Sequence, residues 1–155
     1  MASIRLEPLA EAHLPDVLRI ERACQTALWS EASFRNEIGH PHGVFLVALA
    51  GREVVGFGGC WILVDEAHIT TLAVDPLHRR QGVGRFLMDA LLRRAATAGA
   101  ICSTLEVRSS NEAAIKLYEE MGYVATTRRK GYYPDNREDA LVMWLHDLSK
   151  WSNGD

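Results

Sequence analysis

Hydrophobic side chains recur along this sequence with two different periods, and this difference separates predicted helices from predicted strands. After Gly82, apolar residues return every three to four positions, as on one face of an α-helix, until Gly99 provides a stop. Similar spacing follows Ala10 and Asn111, and Ser30 is placed to cap a short helix. The pattern predicts helices over residues 10–24, 30–38, 82–99 and 111–121.

Compact apolar runs and alternating segments lie between these helices and predict β-strands. They cover residues 3–6, 44–50, 53–64, 68–74, 101–107, about 123–130 and 139–145. Gly51-Arg52 fits a tight turn, which makes the second and third of these strands a hairpin. Gly56, Gly58 and Gly59 indicate a bulge or a close backbone approach in its second arm. The order of elements predicts an α/β or α+β fold with a mixed sheet.

Length, composition and charge limit the class of protein. A chain of 155 residues with 48% hydrophobic and 24% charged residues has the size and makeup of one soluble globular domain. We expect a single domain over residues 1–148 and a loose polar tail over 149–155. Seventeen Lys and Arg against twenty Asp and Glu give a net charge of −3, so no global positive field favours nucleic acid or an anionic membrane.

The sequence gives no indication of a membrane span, a disulfide framework or a metal site. Its apolar runs are far shorter than the roughly 20 residues of a span, and its N-terminus has no signal-peptide core, so we expect a cytoplasmic protein. Cys24, Cys60 and Cys102 are odd in number and form no CxxC pair, which favours core packing. Only His40 and His42 are close-set, and no Glu or Cys lies at helical spacing from them, so we expect no metal.

The segment from His68 to Phe86 runs from a strand through a short basic loop into the first turn of the long helix. The free amides of a first turn carry partial positive charge, and Gly82 and Gly84 let a polyanion approach them without a Cβ in the way. Three arginines add fixed charge: Arg79, Arg80 and Arg85. This arrangement describes a phosphate or pyrophosphate site.

Two common phosphate-binding loops do not fit this segment. A Walker A loop needs Gly-Lys-Ser/Thr, which is absent. A dinucleotide-binding turn would start at Gly82 and needs a third glycine where Leu87 stands. Taken alone, the segment also fits a glycine-containing helix start on a basic surface patch, and this alternative stays open.

The residues around the basic loop resemble a known family. Arg79-Arg80-Gln81-Gly82-Val83-Gly84 matches the Q/R-x-x-G-x-G/A signature of the GCN5-related N-acetyltransferases. The strand ending Leu72-Ala73-Val74-Asp75-Pro76 precedes it, and Leu105-Glu106-Val107-Arg108 follows it, so that the resemblance covers nearly the whole chain. The run LEVRSSNEAAIKLYEEMGY, with GYYP and REDA after it, is most similar to the branch that acetylates a bacterial ribosomal protein on its N-terminal alanine.

This resemblance implies a fold, a reaction and a co-substrate site. The implied fold is a central, mostly antiparallel sheet with splayed strands, flanked by helices. The implied reaction moves acetyl from acetyl-CoA, without a metal, to the N-terminus of a protein, which in this branch is ribosomal protein S18. The residues it assigns to acetyl-CoA are Leu72, Ala73, Val74, Arg79, Arg80, Gln81, Gly82, Val83, Gly84, Arg85 and Asn111.

The resemblance also implies roles in the chemistry. Glu106 would take a proton from the amine through a water molecule, because an N-terminal ammonium with a pKa of about 8 is mostly protonated at neutral pH. Tyr118 would protonate the departing CoA thiolate. A backbone amide of the strand carrying residues 72–74 would stabilise the oxyanion where that strand splays from its neighbour. Tyr132 and Tyr133 would close over the first residues of the acceptor.

Each of these residues also has a simpler explanation. Strand alternation places Glu106 on the less apolar face of its strand, where solvated or ion-paired carboxylates are common. Tyr118 falls on the inward face of its helix, as an ordinary core tyrosine does. Asn111 starts a helix and can serve as its N-cap, and Tyr132 and Tyr133 can pack against their own hairpin.

Two other functions fit the same sequence. The first is the same chemistry on another protein N-terminus, a lysine or a small amine; Gly131, where relatives often carry a larger polar residue, predicts a wider acceptor slot. The second is a non-catalytic acyl-CoA-binding module, which would keep the phosphate site without needing groups that transfer protons. The presence of both Glu106 and Tyr118 favours an enzyme.

Overall fold

A computed structural model describes residues 3–25 and 28–152 of the chain. The strands in this part are β1 (Ile4–Pro8), β2 (Gly43–Ala50), β3 (Glu53–Leu63), β4 (Glu66–Val74), β5 (Cys102–Arg108), β6 (Val124–Arg129) and β7 (Ala140–Leu145). The α-helices are α1 (Leu14–Cys24), α2 (Glu31–Arg35), α3 (Val83–Thr97), α4 (Glu112–Met121) and α5 (Ser149–Ser152). Every predicted helix and strand is present, with ends shifted by a few residues.

The strands form one seven-stranded sheet in the order β1-β2-β3-β4-β5-β7-β6. Neighbouring strands are antiparallel except for β4 and β5, which are parallel. A parallel pair needs a crossover connection, and α3 supplies it between these two strands. The predicted mixed sheet, mostly antiparallel and flanked by helices, is confirmed.

Helices cover both faces of the sheet and bury a core on each. On one face, α1 and α2 pack on the sheet around Phe34, Phe45 and Phe57, whose ring centroids lie 5.4 to 6.0 Å apart. On the other face, α3 buries Leu87 and Leu91 completely. Strands between two cores need apolar residues on both sides, which explains why β2 is apolar throughout instead of alternating.

The ends of the helices are set by the capping residues that the sequence indicated. Ser30 and Asn111 each accept a hydrogen bond from the backbone N–H three residues later, and so cap α2 and α4. Gly122 ends α4 in the left-handed conformation, with φ of 108°. The helix predicted over 30–38 is shorter than expected and ends at Arg35, because the following four residues form turns.

The parallel strands β4 and β5 are paired only over their first four residues each, and beyond these they diverge. The divergence coincides with a bulge in β4. Consecutive residues Gly59 and Cys60 of β3 pair with Thr71 and Ile69, which leaves Thr70 as an extra residue. The splayed strands expected from the family resemblance are therefore present, and the opening between them carries the candidate site.

The close backbone approach predicted for β3 is found at Gly59. A Cβ atom on this residue would lie 2.6 Å from Cδ2 of Phe45 and 3.2 Å from Oγ1 of Thr70. The first distance is too short for a real carbon contact. The absence of a side chain at Gly59 therefore gives the Phe45 ring room to stack on Phe57.

The end of the chain differs from the loose tail predicted from residue 149 onward. Ser149–Ser152 form α5, and the buried Trp151 donates its indole N–H to Asp89 of α3 at 3.1 Å. Burial of a large aromatic side chain with its N–H satisfied stabilises this turn against α3. The prediction was wrong for residues 149–152, and residues 153–155 lie outside the described part of the chain.

The cysteines are free, and they have different surroundings. Cys60 belongs to the core as expected, and burial raises the pKa of its thiol to about 12. Cys24 and Cys102 are partly buried, and Cys24 lines the cavity described below. In the described part of the chain, no helix combines the length and apolar character needed to cross a membrane.

We expect Gly59→Ala to lower the free energy of unfolding by about 1–3 kcal/mol, because the added methyl group overpacks the Phe45 ring. Urea unfolding should show a lower midpoint with an unchanged m-value. Gly84→Ala is the control, since its Cβ would meet Leu117 at an ordinary 3.4 Å and alanine favours a helix. A midpoint for Gly59→Ala equal to that of the wild type would contradict the tight contact.

Candidate active site

The divergence of β4 from β5 opens a cavity of about 510 Å³. Its walls come from β4, β5, α4 and the loop between β6 and β7, with the end of α1 and the segment before α2 on one side. Six of the predicted site residues line it: Leu72, Glu106, Asn111, Tyr118, Tyr132 and Tyr133. Ala73, Val74 and the basic loop 79–85 are not among its lining residues.

Glu106 projects from β5 into this cavity with its side chain 16% exposed. It lies on the less buried face of the strand, as the sequence predicted, since Leu105 and Val107 are buried on the other face. The Nε2 atom of His68 lies 2.7 Å from its Oε1, and Nη1 of Arg129 lies 3.7 Å from its Oε2. Glu106 is therefore an ion-paired carboxylate inside a cavity.

These neighbours change the acidity of Glu106. Its hydrogen bond with His68 lowers the pKa of the carboxyl, and the charge of Arg129 and the Tyr132 hydroxyl lower it further, against the opposing effect of burial. The carboxyl is therefore ionised at neutral pH. An ionised carboxylate here can attract a cationic amine and accept a hydrogen bond from it.

Tyr118 reaches the same cavity from α4. Its side chain is buried, as its helical position predicted, and its ring lies against that of Tyr123 with centroids 5.8 Å apart. Burial raises the pKa of Tyr118 well above that of an exposed phenol. The hydroxyl therefore keeps its proton at neutral pH and is available as a proton donor.

The first turn of α3 has the open amides that the sequence predicted. Gly82 is the N-cap with φ of 79°, and no side chain caps the helix. A Cβ on Gly82 would meet no atom within 4 Å, so the space in front of these amides is unobstructed. Together with the positive end of the helix dipole, this makes a site for an anion.

The arginines of the basic loop have separate local partners. Arg79 donates a hydrogen bond to Sγ of Cys24 at 3.5 Å, and Nε of Arg85 lies 3.5 Å from Oδ2 of Asp89. Arg80 adopts a left-handed backbone conformation, with φ of 63°. Because this loop does not line the cavity, the anion site and the reactive groups are separate regions, which only a long ligand can occupy together.

The second half of β4 lies between these two regions. Residues 71–74 pair with β3 on one side, and on the other side they have no strand partner in the described part of the chain. The buried hydroxyls of Thr70 and Thr71 also lack a hydrogen-bond partner among the described residues. Backbone polar groups without a strand partner are therefore available to a ligand that follows this edge of β4.

Asn111, Tyr132 and Tyr133 each have the structural contact that the sequence allowed, and each also lines the cavity. Asn111 caps α4 and also lines the cavity. The Tyr132 and Tyr133 rings meet edge to face with centroids 5.1 Å apart, and both line the cavity. Tyr132 is 45% exposed whereas Tyr133 is 7% exposed, so the first is accessible and the second is part of the wall.

Sequence reasoning missed the two groups closest to Glu106. His68 reaches Glu106 because β4 and β5 are parallel neighbours, in a register that places His68 opposite Thr104. Arg129 reaches it from the last residue of β6. Only the pairing of distant strands brings these residues together, so no local sequence pattern identifies them.

Among the described residues, one group of side chains with potential metal-ligand atoms lies outside the cavity lining. Atoms of Glu53, Asp75 and His78 lie within 4.8 Å of one another. Asp75 already accepts hydrogen bonds from Arg19 at 3.0 Å and from the N–H of Leu77 at 3.0 Å. The charge of Arg19 offsets that of Asp75 and disfavours a metal ion at this position.

Comparison with known proteins agrees with this geometry. Residues 14–123 match the acetyltransferase (GNAT) family. The chain is 37% identical over 142 residues to the ribosomal protein bS18-alanine N-acetyltransferase of Escherichia coli strain K12. That alignment covers 90% of this chain and 95% of the relative.

Two solved structures are similar over nearly their whole length. The crystal structure of the ribosomal-protein-S18-alanine N-acetyltransferase from Escherichia coli has a TM-score of 0.81 at 34% identity, covering 92% of this chain and 93% of the other. That of Ard1 from Thermoplasma volcanium has a TM-score of 0.82 at 30% identity, covering 91% and 95%. The signature at the start of α3, the splayed parallel strands and these matches show that the chain belongs to the GNAT family of acetyltransferases.

Proposed function

We propose that this GNAT acetyltransferase moves an acetyl group from acetyl-CoA to the N-terminal alanine of ribosomal protein bS18. The acceptor is inferred from the Escherichia coli relative, which is named for this activity and is 37% identical. The observation that carries the proposal is that Glu106 and Tyr118, an ionised carboxylate and a neutral phenol, line one cavity. A ribosomal acceptor places the reaction in the cytoplasm.

In this proposal acetyl-CoA spans the distance from the basic loop to the cavity. Its pyrophosphate binds the open first-turn amides of residues 82–85, with Arg79 and Arg80 beside it. The amide-containing arm follows the unpaired edge of β4 at residues 72–74 and reaches Asn111 near the cavity. The acetyl group then lies where β4 and β5 diverge, between the side chains of Glu106 and Tyr118.

Glu106 acts on the amine in the first chemical step. The acceptor enters as an ammonium, which cannot attack a carbonyl until it loses a proton. The carboxylate accepts that proton, directly or through one water molecule. Its lowered pKa makes it a weak base, so it holds that proton only transiently.

The remaining steps transfer the acetyl group. The amine nitrogen forms a bond to the thioester carbon, and negative charge develops on the carbonyl oxygen. A backbone N–H on the free edge of β4 stabilises that charge. As the carbon–sulfur bond breaks, the Tyr118 hydroxyl gives its proton to the sulfur, which leaves as the CoA thiol. The nitrogen of the new amide loses its remaining extra proton, and through solvent this proton restores the Tyr118 hydroxyl.

Tyr132 and Tyr133 form the acceptor side of the site. Tyr133 is fixed in the wall, and the accessible Tyr132 lies next to Glu106. Two phenols with fixed rings suit the backbone of a short peptide better than a long lysine side chain. A small first residue such as alanine fits beside these rings, and Gly131 leaves space that lets Ser or Gly react slowly.

The acceptor class is tested with short peptides that differ only in the first residue, plus one N-terminally blocked peptide with an internal lysine. We expect the highest kcat/KM for the Ala-initiated peptide, with other small residues within about 10–200-fold and Trp slower still. Mass spectrometry locates the acetyl group. Preferential acetylation of the blocked lysine peptide, or equal rates for Ala and Trp, would defeat the α-amine proposal.

Glu106→Gln should lower kcat/KM by about 100-fold or more at pH 7, because the amine then lacks a base. The deficit should shrink toward pH 9, where a larger fraction of the amine is already neutral. Tyr118→Phe is the matched comparison: it also lowers kcat, but its deficit does not shrink in the same way. A Glu106→Gln deficit that is constant from pH 6.5 to 9.5 would assign Glu106 a binding role only.

Gly82→Asn should weaken CoA binding at least tenfold, because the new side chain stands in front of the first-turn amides. Asparagine tolerates positive φ better than most residues, and no atom lies within 4 Å of the new Cβ, so the fold is retained. Gly99→Asn is the control at another open position, with φ of 104°. If calorimetry shows wild-type affinity for CoA in both variants, the pyrophosphate does not bind at this helix end.

A further inference from the structure

Arg108 is a partly buried cation at the cavity that the reaction above does not use. It ends β5, two residues after Glu106 and on the same face of the strand. Its side chain is 12% exposed and lines the cavity. Desolvating a guanidinium is costly unless its donors are used, so the partners of Arg108 indicate its role.

One set of partners lies in the loop between β6 and β7, which carries Tyr132 and Tyr133. Two nitrogens of Arg108 hydrogen-bond the two carboxylate oxygens of Asp135, at 3.2 and 3.0 Å. Its Nη1 also lies 3.5 Å from Oε1 of Glu138. A bidentate arginine–carboxylate pair fixes both distance and orientation, so this loop is held at a defined place relative to β5.

A second partner lies at the end of α1, which contributes another part of the cavity wall. Nε of Arg108 donates a hydrogen bond to the backbone carbonyl of Gln25 at 3.2 Å. Gln25 ends α1 in a left-handed conformation, with φ of 51°, directly after the cavity residue Cys24. The same guanidinium therefore also holds the end of α1.

The third contact is with the wall of the site itself. The Cζ atom of Arg108 lies 4.0 Å from the centroid of the Tyr133 ring. A guanidinium over an aromatic face is an attractive contact that also fixes the tilt of the ring. Tyr133 is in turn edge to face with the accessible Tyr132.

We propose that Arg108 is a positioning residue that sets the width of the acceptor entrance, by joining the end of α1 to the loop between β6 and β7. The inference rests on the proposed function, in which a peptide N-terminus enters between these two segments. The planar guanidinium of Arg108 hydrogen-bonds both segments and lies over the Tyr133 ring in the cavity wall. Its charge is neutralised by Asp135 and Glu138, so it does not repel an incoming ammonium.

The proposal predicts a change in acceptor binding and selectivity with little change in the chemistry. Arg108→Gln should raise KM for the Ala-initiated peptide about tenfold, the scale of effect produced by misplacing a binding group. KM for acetyl-CoA and kcat should stay within twofold of the wild type. The kcat/KM ratio of Ala- to Phe-initiated peptides should fall, because a loosened entrance admits larger residues.

Two further variants separate geometry from charge. Arg108→Lys keeps the charge but loses the bidentate fork, so it should behave like Arg108→Gln. Asp135→Asn removes the main partner from the loop side and should give the same loss of selectivity with Arg108 intact. Arg128→Gln is the control, because Arg128 pairs with Asp139 at 3.2 Å in the same hairpin but does not line the cavity or contact Arg108.

The selectivity ratio distinguishes positioning from a loss of folded protein. Partial unfolding lowers the rate for every acceptor by the same factor and leaves the ratio unchanged. If Arg108→Gln does not fold, Asp135→Asn carries the test. A wild-type selectivity ratio and acceptor KM in the folded variants would overturn the proposal. If the wild type instead prefers the blocked lysine peptide, the proposed function fails, and the KM of that peptide in the variants still decides the role of Arg108.

Discussion

The divergence of β4 from its parallel neighbour β5 is the constraint on which the site depends. Parallel strands in full register would pair throughout and leave no room between them. Here pairing stops after Ile69, where Thr70 is inserted into β4 as a bulge. The bulge reverses the alternation of the strand, so that Ile69 and Leu72 both face the core beneath α3. A single extra residue therefore opens the cavity and leaves one edge of β4 unpaired while both cores stay filled.

The glycines of β3 connect this opening to the anion site. A Cβ at Gly56 would lie 3.2 Å from Val83, and one at Gly58 would lie 3.1 Å from Leu91. Their absence lets α3 approach the sheet closely, which fixes its first turn beside the end of β4. The glycines of β3 therefore help to place the open first turn of α3 near the end of β4, although the sequence separates β3 from α3 by some twenty residues.

Local patterns in the sequence predicted the elements of this fold well, because capping residues and periodic apolar positions act over a few residues. Ser30 and Asn111 cap the starts of α2 and α4, and Gly122 ends α4, as expected. Residues 149–152 were mispredicted as a loose tail, because Trp151 is held by Asp89, a distant partner on α3. The same distinction applies to the cavity: family motifs pointed to Glu106 and Tyr118, which line it, whereas His68 and Arg129 reach Glu106 from strands whose pairing no local pattern encodes.

The proposed role of Glu106 as a base has to be reconciled with the low pKa that its neighbours give the carboxyl. His68 and Arg129 lower its pKa, which weakens its hold on a proton. In the proposed mechanism the amine binds beside the same groups, where the positive charge of Arg129 disfavours its ammonium form and so lowers the pKa of the amine as well. The lowered pKa of Glu106 makes proton transfer harder, whereas the lowered pKa of the amine makes it easier. Proton transfer depends on the difference between the two pKa values, so the acidity of Glu106 in the free protein does not by itself argue against the proposed role of this carboxylate as proton acceptor.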